Sequence, residues 1–497
     1  MPSHLSLTPF GWAYLPIVLA VLVFKREWLL PLLIVSAVLH APAVALIKPG
    51  ADVAEMGITP WLITASAVAA HLSMLIISRA AINIGESRTV RILFLGWSLA
   101  TLWGILSAFV MPHLFAGVLT YNPEVMQSLA ALPSPLSFRW VAVVQASNLA
   151  ILWMVFFYIL QIPKHVDLKK SVAWGLGAAG ILSLALSAGQ RALMWAGVTQ
   201  PGPYQDSLPP SWITDSLNPS YVQTFGYVVG DIKRANWPFS EPSYAGVWFG
   251  AIFSACLFAL FFSKHHRIAG AATLLALAGV CNSMSGSGIA GALASVLILL
   301  ACITPSLRAG SQESRRRRKL LTGCLATIVI LASAWSIADH FESTRFAGPS
   351  HLYQYFVHPR LTDHMRAEPT RSTSNTAALT VIADTFWLGT GLGGNRASSN
   401  LLSMASTLGI PATLLFYALL LITSVKLMKR RARSTTEVAV TGGLLGATLG
   451  VIAGIPDVLW PAWWVWIIAS FALLRCAPEA HGQHHARENT PAKAMLS

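Results

Sequence analysis

Apolar runs alternate with short polar breaks along almost the whole chain. A helix needs about 20 mostly apolar residues to cross the hydrocarbon core of a bilayer. By that measure the spans of the first half are residues 10–24, 28–47, 61–78, 92–111, 140–160 and 172–188. Those of the second half are residues 244–262, 268–284, 289–303, 320–338, 404–425, 438–455 and 459–474. The pattern predicts an all-α polytopic membrane protein with about thirteen transmembrane helices, within a range of 12–14. A Pro-rich loop is expected over residues 112–138.

Two stretches are too polar to span. They divide the chain into N-terminal membrane helices (1–189), a first large loop (190–243), central helices (244–338), a second large loop (339–403), C-terminal helices (404–475) and a polar tail (476–497). The tail has the composition of a disordered segment. Residues 377–386 fit either the second loop or a half-helix dipping into the membrane.

Charge then orients the spans. Lys and Arg cluster at residues 25–26, 79–91, 164–170, 264–267, 308–319 and 426–433. Basic residues favour the cytoplasmic ends of membrane helices. With thirteen spans and an external N-terminus, all these clusters and the C-terminal tail fall in the cytoplasm. Both large loops then fall outside the cytoplasm. The net charge of +14 is explained by these runs, so membrane lipids, and not nucleic acid, are the implied partners. The five cysteines are scattered with no CxxC spacing, which predicts neither disulfides nor a zinc site. The first apolar run has no Lys or Arg before it, so no cleavable signal peptide is expected.

The second large loop changes the picture. It carries Arg345, Arg360, Arg366, Arg371 and Arg396 and no lysine. An arginine-only cluster on the side where basic residues are disfavoured points to a phosphorylated ligand, which flat guanidinium groups bind in a bidentate fashion. Arg396 follows a Gly-rich turn with Gly389, Gly391, Gly393 and Gly394, which permits a tight backbone and close approach to a ligand. No Gly-Lys-Ser/Thr follows, so the turn is not a P-loop. His351, His358, Asp363 and His364 share the loop as candidates for a base. The first large loop ends with Arg234 and Glu241 at the mouth of the next span. Glu241 is either a helix cap with Arg234 as its ion-pair partner, or Arg234 binds phosphate while Glu241 orients or deprotonates a sugar hydroxyl. No Asp-X-Asp pair occurs, so no metal or other cofactor is expected.

With these residues in view, the chain resembles the O-antigen ligase and polymerase superfamily, nearest to the Wzy-type exopolysaccharide polymerases of Gram-negative bacteria. The segment from Arg234 through Phe239-Ser-Glu241-Pro-Ser to Gly246 is similar to the family's Arg…Phe-x-Glu-x-Ser pattern. Leu388-Gly-Thr-Gly-Leu-Gly-Gly-Asn-Arg396-Ala-Ser-Ser is similar to its Gly-x-Gly-x-Gly-x-Asn-Arg-x-Ser-Ser pattern. Asn236-Trp237 stands where the family often has glycine. Ligases carry a His–Asn pair after the Gly turn, where this chain has Arg396, which favours a polymerase. The resemblance implies a fold like the C class of glycosyltransferases. It also implies a multi-pass protein of the bacterial inner membrane, and transfer of a growing glycan from undecaprenyl pyrophosphate to the next lipid-linked repeat unit at the periplasmic face. A flippase and a chain-length regulator would be partners. Arg234, Glu241, Arg371 and Arg396 are the expected catalytic residues. Arg191, His358, Arg360, Arg366, Asn395, Ser398 and Ser399 are expected to bind substrate. A ligase acting on a lipid or protein acceptor and a lipid-linked glycan flippase are the alternatives.

Overall fold

A computed structural model describes residues 4–48, 56–78, 84, 87–121, 133–163, 165–196, 228–229, 232–262, 266–307, 322, 371–430 and 434–476. Apart from residue 322, the tenth expected span lies outside the described residues. So do Arg345, His351, His358, Arg360, Asp363, His364, Arg366 and the tail from residue 477.

The helices are α1 (Pro9–Phe24), α2 (Leu29–Ser36), α3 (Pro60–Ser78), α4 (Arg88–Leu114), α5 (Trp140–Gln161) and α6 (Leu168–Trp195), then α7 (Pro242–Phe262), α8 (His266–Ser283), α9 (Gly286–Leu307), α10 (Arg371–Asp384), α11 (Asn400–Leu408), α12 (Ile410–Met428), α13 (Thr435–Gly454) and α14 (Pro461–Arg475). A 3-10 turn, Arg26–Trp28, joins α1 to α2. Among the described residues α3, α4, α5, α6, α7, α12 and α13 are long and apolar enough to cross a membrane. The chain is therefore a helical membrane protein. Local signals fix the helix starts: Ser87, Asp167, Ser399 and Ser434 each accept a first-turn N–H, and Ser434 forms a reciprocal capping box with Glu437.

Several expected boundaries are corrected. The second span is not one helix: α2 stops at Ser36, and Pro42, which cannot continue a helix, lies just beyond. The chain then runs into β2 (Ala45–Lys48), which lies between β1 (His4–Leu7) and β3 (Met56–Ile58) in an antiparallel sheet. The eleventh span is split into α11 and α12 at Gly409, whose φ of +84° breaks the helix. α6 continues past residue 188 to Trp195, so Gln190 and Arg191 are helical and not part of a loop. α4 carries Pro112 inside its last turn, and the Pro-rich loop begins only after Leu114. Residues 377–384 belong to α10, a helix of 14 residues.

Small residues bring the central helices together. A Cβ added to Gly288 would lie 2.4 Å from the Gly246 carbonyl, and one on Gly446 would lie 2.3 Å from the Ser254 hydroxyl. Without side chains to separate them, α7, α9 and α13 pack at backbone distance, the usual solution where lipid offers no hydrophobic drive for helix association. α14 is buried at every position from Ala462 to Leu474, surrounded by α4, α5, α6, α12 and α13.

The described polar groups gather at two opposite ends of the bundle. At the basic end Glu437 is 2% exposed and accepts from Arg430 at 2.7 Å, with Lys169 at 3.4 Å. Arg430 also donates to the Leu473 and Leu474 carbonyls, and Arg475 donates to those of Ile159 and Ile162. These cations close the C-terminal ends of α14 and α5, where the helix dipole is negative. The Gly turn, the mouth of α7 and the α13–α14 connection lie at the other end.

Candidate functional site

The approach to α7 is held by a buried polar lattice. The Gln190 side-chain carbonyl accepts from the Asn236 and Trp237 N–H groups at 2.8 and 2.9 Å, and its amide donates to the Asn236 side chain at 2.8 Å. Asn236 in turn donates to the Phe239 carbonyl at 2.7 Å. The Trp237–Pro238 peptide is cis, and the Ala41 N–H donates to the Pro238 carbonyl at 2.9 Å. Asn236 is thus the residue that folds this loop back on itself. Pro242 opens α7, where a missing N–H is harmless. Glu241 stands just before it and accepts from the Ser243 hydroxyl at 3.0 Å.

Arg191 and Arg234 meet at the end of α8. Arg191 donates to the Asn282 side chain at 2.6 Å and to its carbonyl at 3.0 Å, while Arg234 donates to the Ser283 carbonyl at 3.2 Å. Successive terminal carbonyls of one helix therefore gather two guanidinium groups, and the negative end of the helix dipole reduces their mutual repulsion.

The Gly turn is packed against protein. Gly389, Gly391 and Gly393 have φ of +82°, +88° and +86°. The Thr390 and Gly391 N–H groups donate to the Ser406 and Thr407 carbonyls at 2.9 and 2.8 Å, and the Trp103 indole donates to Leu408 at 2.7 Å. These bonds satisfy the last carbonyls of α11. The close approach foreseen for the glycines is to backbone: a Cβ on Gly391 would lie 2.3 Å from the Ser107 carbonyl, and one on Gly389 2.4 Å from that of Thr407. The turn is a rigid bracket that delivers Arg396.

Arg396 reaches Asp457, in the α13–α14 connection, at 3.6 Å. The Tyr244 hydroxyl, from the first turn of α7, donates to the other Asp457 oxygen. The Asn400 amide donates to the Asp457 carbonyl at 3.4 Å, and the Tyr417 hydroxyl donates to Asn400 at 3.0 Å. Glu241 stands one turn before Tyr244, and its carbonyl accepts the Ala245 N–H at 3.2 Å. The His40 ring lies 5.1 Å from the Tyr244 ring, and its Nδ1 pairs with the Ser240 hydroxyl at 3.0 Å. His40 follows the end of α2, is 6% exposed, and burial holds its pKa down to about 4 against the opposing pull of Asp457. It is therefore neutral at physiological pH.

The structure brings Arg396 and Glu241 to one neighbourhood around Tyr244, and Arg191 and Arg234 to another at the end of α8. The Arg234 segment and the Tyr244 cluster are joined through residues 235–241. Arg371 is the first residue of α10. Three further expected residues have structural partners. Asn395 is 3% exposed, accepts from the Tyr121 N–H at 3.0 Å and donates to Ser406 at 2.9 Å. Ser398 pairs with Ser374 at 2.6 Å, and Ser399 caps α11. Asp457, Tyr244, His40 and Asn400 were not anticipated. The signal for Asp457 was a single carboxylate in a short connection between two apolar spans; Tyr244 and His40 sit within apolar runs, and Asn400 closes the polar second loop just before one.

No family model matches this chain, and no curated protein matches it.

Proposed function

We propose that the chain is a membrane-embedded glycosyltransferase that extends a lipid-linked polysaccharide. Undecaprenyl-pyrophosphate-linked glycan is the donor, and a sugar hydroxyl of the next lipid-linked repeat unit is the acceptor. The reading places the reaction at the periplasmic face of a bacterial inner membrane, with the basic end in the cytoplasm. The observation that carries it is the convergence of Arg396, Asp457, Tyr244 and Glu241 at the end of the bundle opposite the basic clusters.

In the reaction, the bond between the anomeric carbon and the pyrophosphate oxygen breaks, and the bonding pair leaves with the pyrophosphate. The acceptor oxygen bonds to the anomeric carbon and gives up its proton to a base. Negative charge grows on the leaving group, so guanidinium groups fixed in advance stabilise the transition state more than the ground state. Arg371 and Arg396 hold the donor pyrophosphate, and Arg191 and Arg234 hold a second phosphate or sugar. Glu241 takes the proton. Asp457 orients Arg396, and no metal is needed.

The test uses purified protein in nanodiscs with a defined lipid-linked repeat unit, with and without EDTA. A length ladder that survives EDTA and disappears in Arg371→Ala and Arg396→Ala variants supports the reading. Transfer only after an exogenous lipid or peptide acceptor is added replaces it with a ligase. No transfer to any acceptor overturns it. A flippase would place charges along a path through the spans; Arg191, Arg234, Arg396 and Asp457 instead lie at helix ends or beyond them.

A further inference from the structure

A cavity of about 510 Å³ opens at the basic end, away from Arg396 and Asp457. One wall is the Arg26–Trp28 turn with the start of α2; the other is the end of α5 with the first turns of α6. Each wall contributes one cation and one carboxylate: Arg26 with Glu27, and Lys170 with Asp167. All four side chains are exposed. The Asp167 carboxylate also caps α6 by accepting from the Lys170 N–H at 3.0 Å.

Opposite charges in equal number favour a ligand that carries both signs. A purely anionic headgroup would gain at Arg26 and Lys170 what it loses at Glu27 and Asp167. A phosphate and an ammonium a few atoms apart would satisfy both pairs. A primary ammonium offers three donors to the carboxylates, and a quaternary one offers none. Trp28 and Trp174, 48% and 58% exposed, stand at the cavity as indoles do at the headgroup level of a bilayer. From Leu168 to Trp174 α6 descends about 9 Å, the depth of a headgroup with its glycerol backbone. Apolar walls, including Leu30 and Leu75, continue below the charges.

We propose that this cavity is a binding site for a zwitterionic phospholipid with a primary ammonium, phosphatidylethanolamine, drawn from the leaflet at the basic end. The phosphate sits against Arg26 and Lys170, and the ammonium against Glu27 and Asp167.

The test is native mass spectrometry of the full-length, delipidated protein. It is given equimolar phosphatidylethanolamine, phosphatidylglycerol and phosphatidylcholine with the same acyl chains. Wild type should retain phosphatidylethanolamine over the other two by about fivefold, the scale of two exposed ion pairs. The Glu27→Gln/Asp167→Asn double variant keeps a capping side chain on α6 and should switch its preference to phosphatidylglycerol. Arg26→Gln/Lys170→Gln should lose the preference altogether. A wild type that retains phosphatidylglycerol or phosphatidylcholine equally well, or that retains no lipid, overturns the proposal. So does a lipid ratio unchanged in the carboxylate double variant when that variant melts at the wild-type temperature.

Discussion

A guanidinium nitrogen of Arg396 lies 3.6 Å from the Asp457 carboxylate, with α11, α12 and α13 between the two residues in the chain. The Tyr244 hydroxyl occupies the other carboxylate oxygen, so Asp457 is held from a third element, α7. Arg396 is thereby aimed by the Gly turn behind it and by a fixed carboxylate in front. Arg396→Lys keeps the charge and loses the planar fork. Under the proposed reaction it should lower the rate of ladder formation by about 100-fold or more, the scale of a lost oxyanion donor. Asp457→Asn still accepts from Tyr244 and should cost about tenfold. Near-normal polymer from the lysine variant would sink the role given to Arg396.

The bracket itself is testable through glycine. Gly391→Ala puts a Cβ 2.3 Å from the Ser107 carbonyl at a φ of +88°. It should destabilise the protein by about 2 kcal/mol or more. Gly177, in α6, has nothing within 4 Å of its missing Cβ, and Gly177→Ala should melt at or above the wild-type temperature. Equal melting of the two variants in detergent would show that the turn is not clamped against α4.

His40 gives the structure a pH dependence of defined sign. Its pKa falls from 6.5 in the unfolded chain to about 4 in the folded one because burial penalises the imidazolium. Between those values the unfolded state binds the extra proton, so stability is full above pH 6.5 and declines as pH falls toward 4. The whole loss is about 3 kcal/mol. A His40→Gln variant should show a flatter dependence of melting temperature on pH across that window. A slope as steep as wild type would assign the titration to another group.

Arg430 and Glu437 should behave as a buried pair. Glu437 is 2% exposed, and Arg430→Ala leaves it with Lys169 at 3.4 Å. The expected cost is about 1–3 kcal/mol, because Glu437 keeps Lys169 and the Ser434 N–H but loses its main partner. Adding Glu437→Gln should recover much of that loss. If the double variant melts no higher than the single one, the cost comes from the uncapped Leu473 and Leu474 carbonyls instead.

The membrane character of the chain was legible because hydrophobic runs of bilayer length leave few alternatives. The positions of α3, α5, α7 and α13 follow from those runs. What the runs could not reveal was interruption. Residues 28–47 and 404–425 read as continuous apolar spans, yet the first leaves its helix at Ser36 and the second breaks at Gly409, against average hydropathy. α6 was underestimated for the opposite reason: Gln190 and Arg191 look like loop residues until their partners, Asn236 and Asn282, arrive from distant parts of the chain. Arg396 stood out by its neighbours in sequence. Asp457 and Tyr244, which meet it, are far from it in the chain, and no local pattern links them. The glycines marked a tight turn, but only packing against Ser107 and Thr407 shows what the tightness serves.

The burial of α14 on every side has a consequence for biogenesis. This helix leaves the ribosome after all the others described here, yet it fills the centre of the bundle between α4, α5, α6, α12 and α13. Chains fold broadly from the N-terminus as they are synthesised, so the earlier helices must wait around an unfilled slot. The polypeptide can close only when Arg475 emerges and seats on the Ile159 and Ile162 carbonyls. Synthesis that stops short of this residue leaves an incomplete ring in the membrane, a natural substrate for quality-control proteolysis. Among the described helices α14 is the keystone: the bundle around it closes only once it has been made.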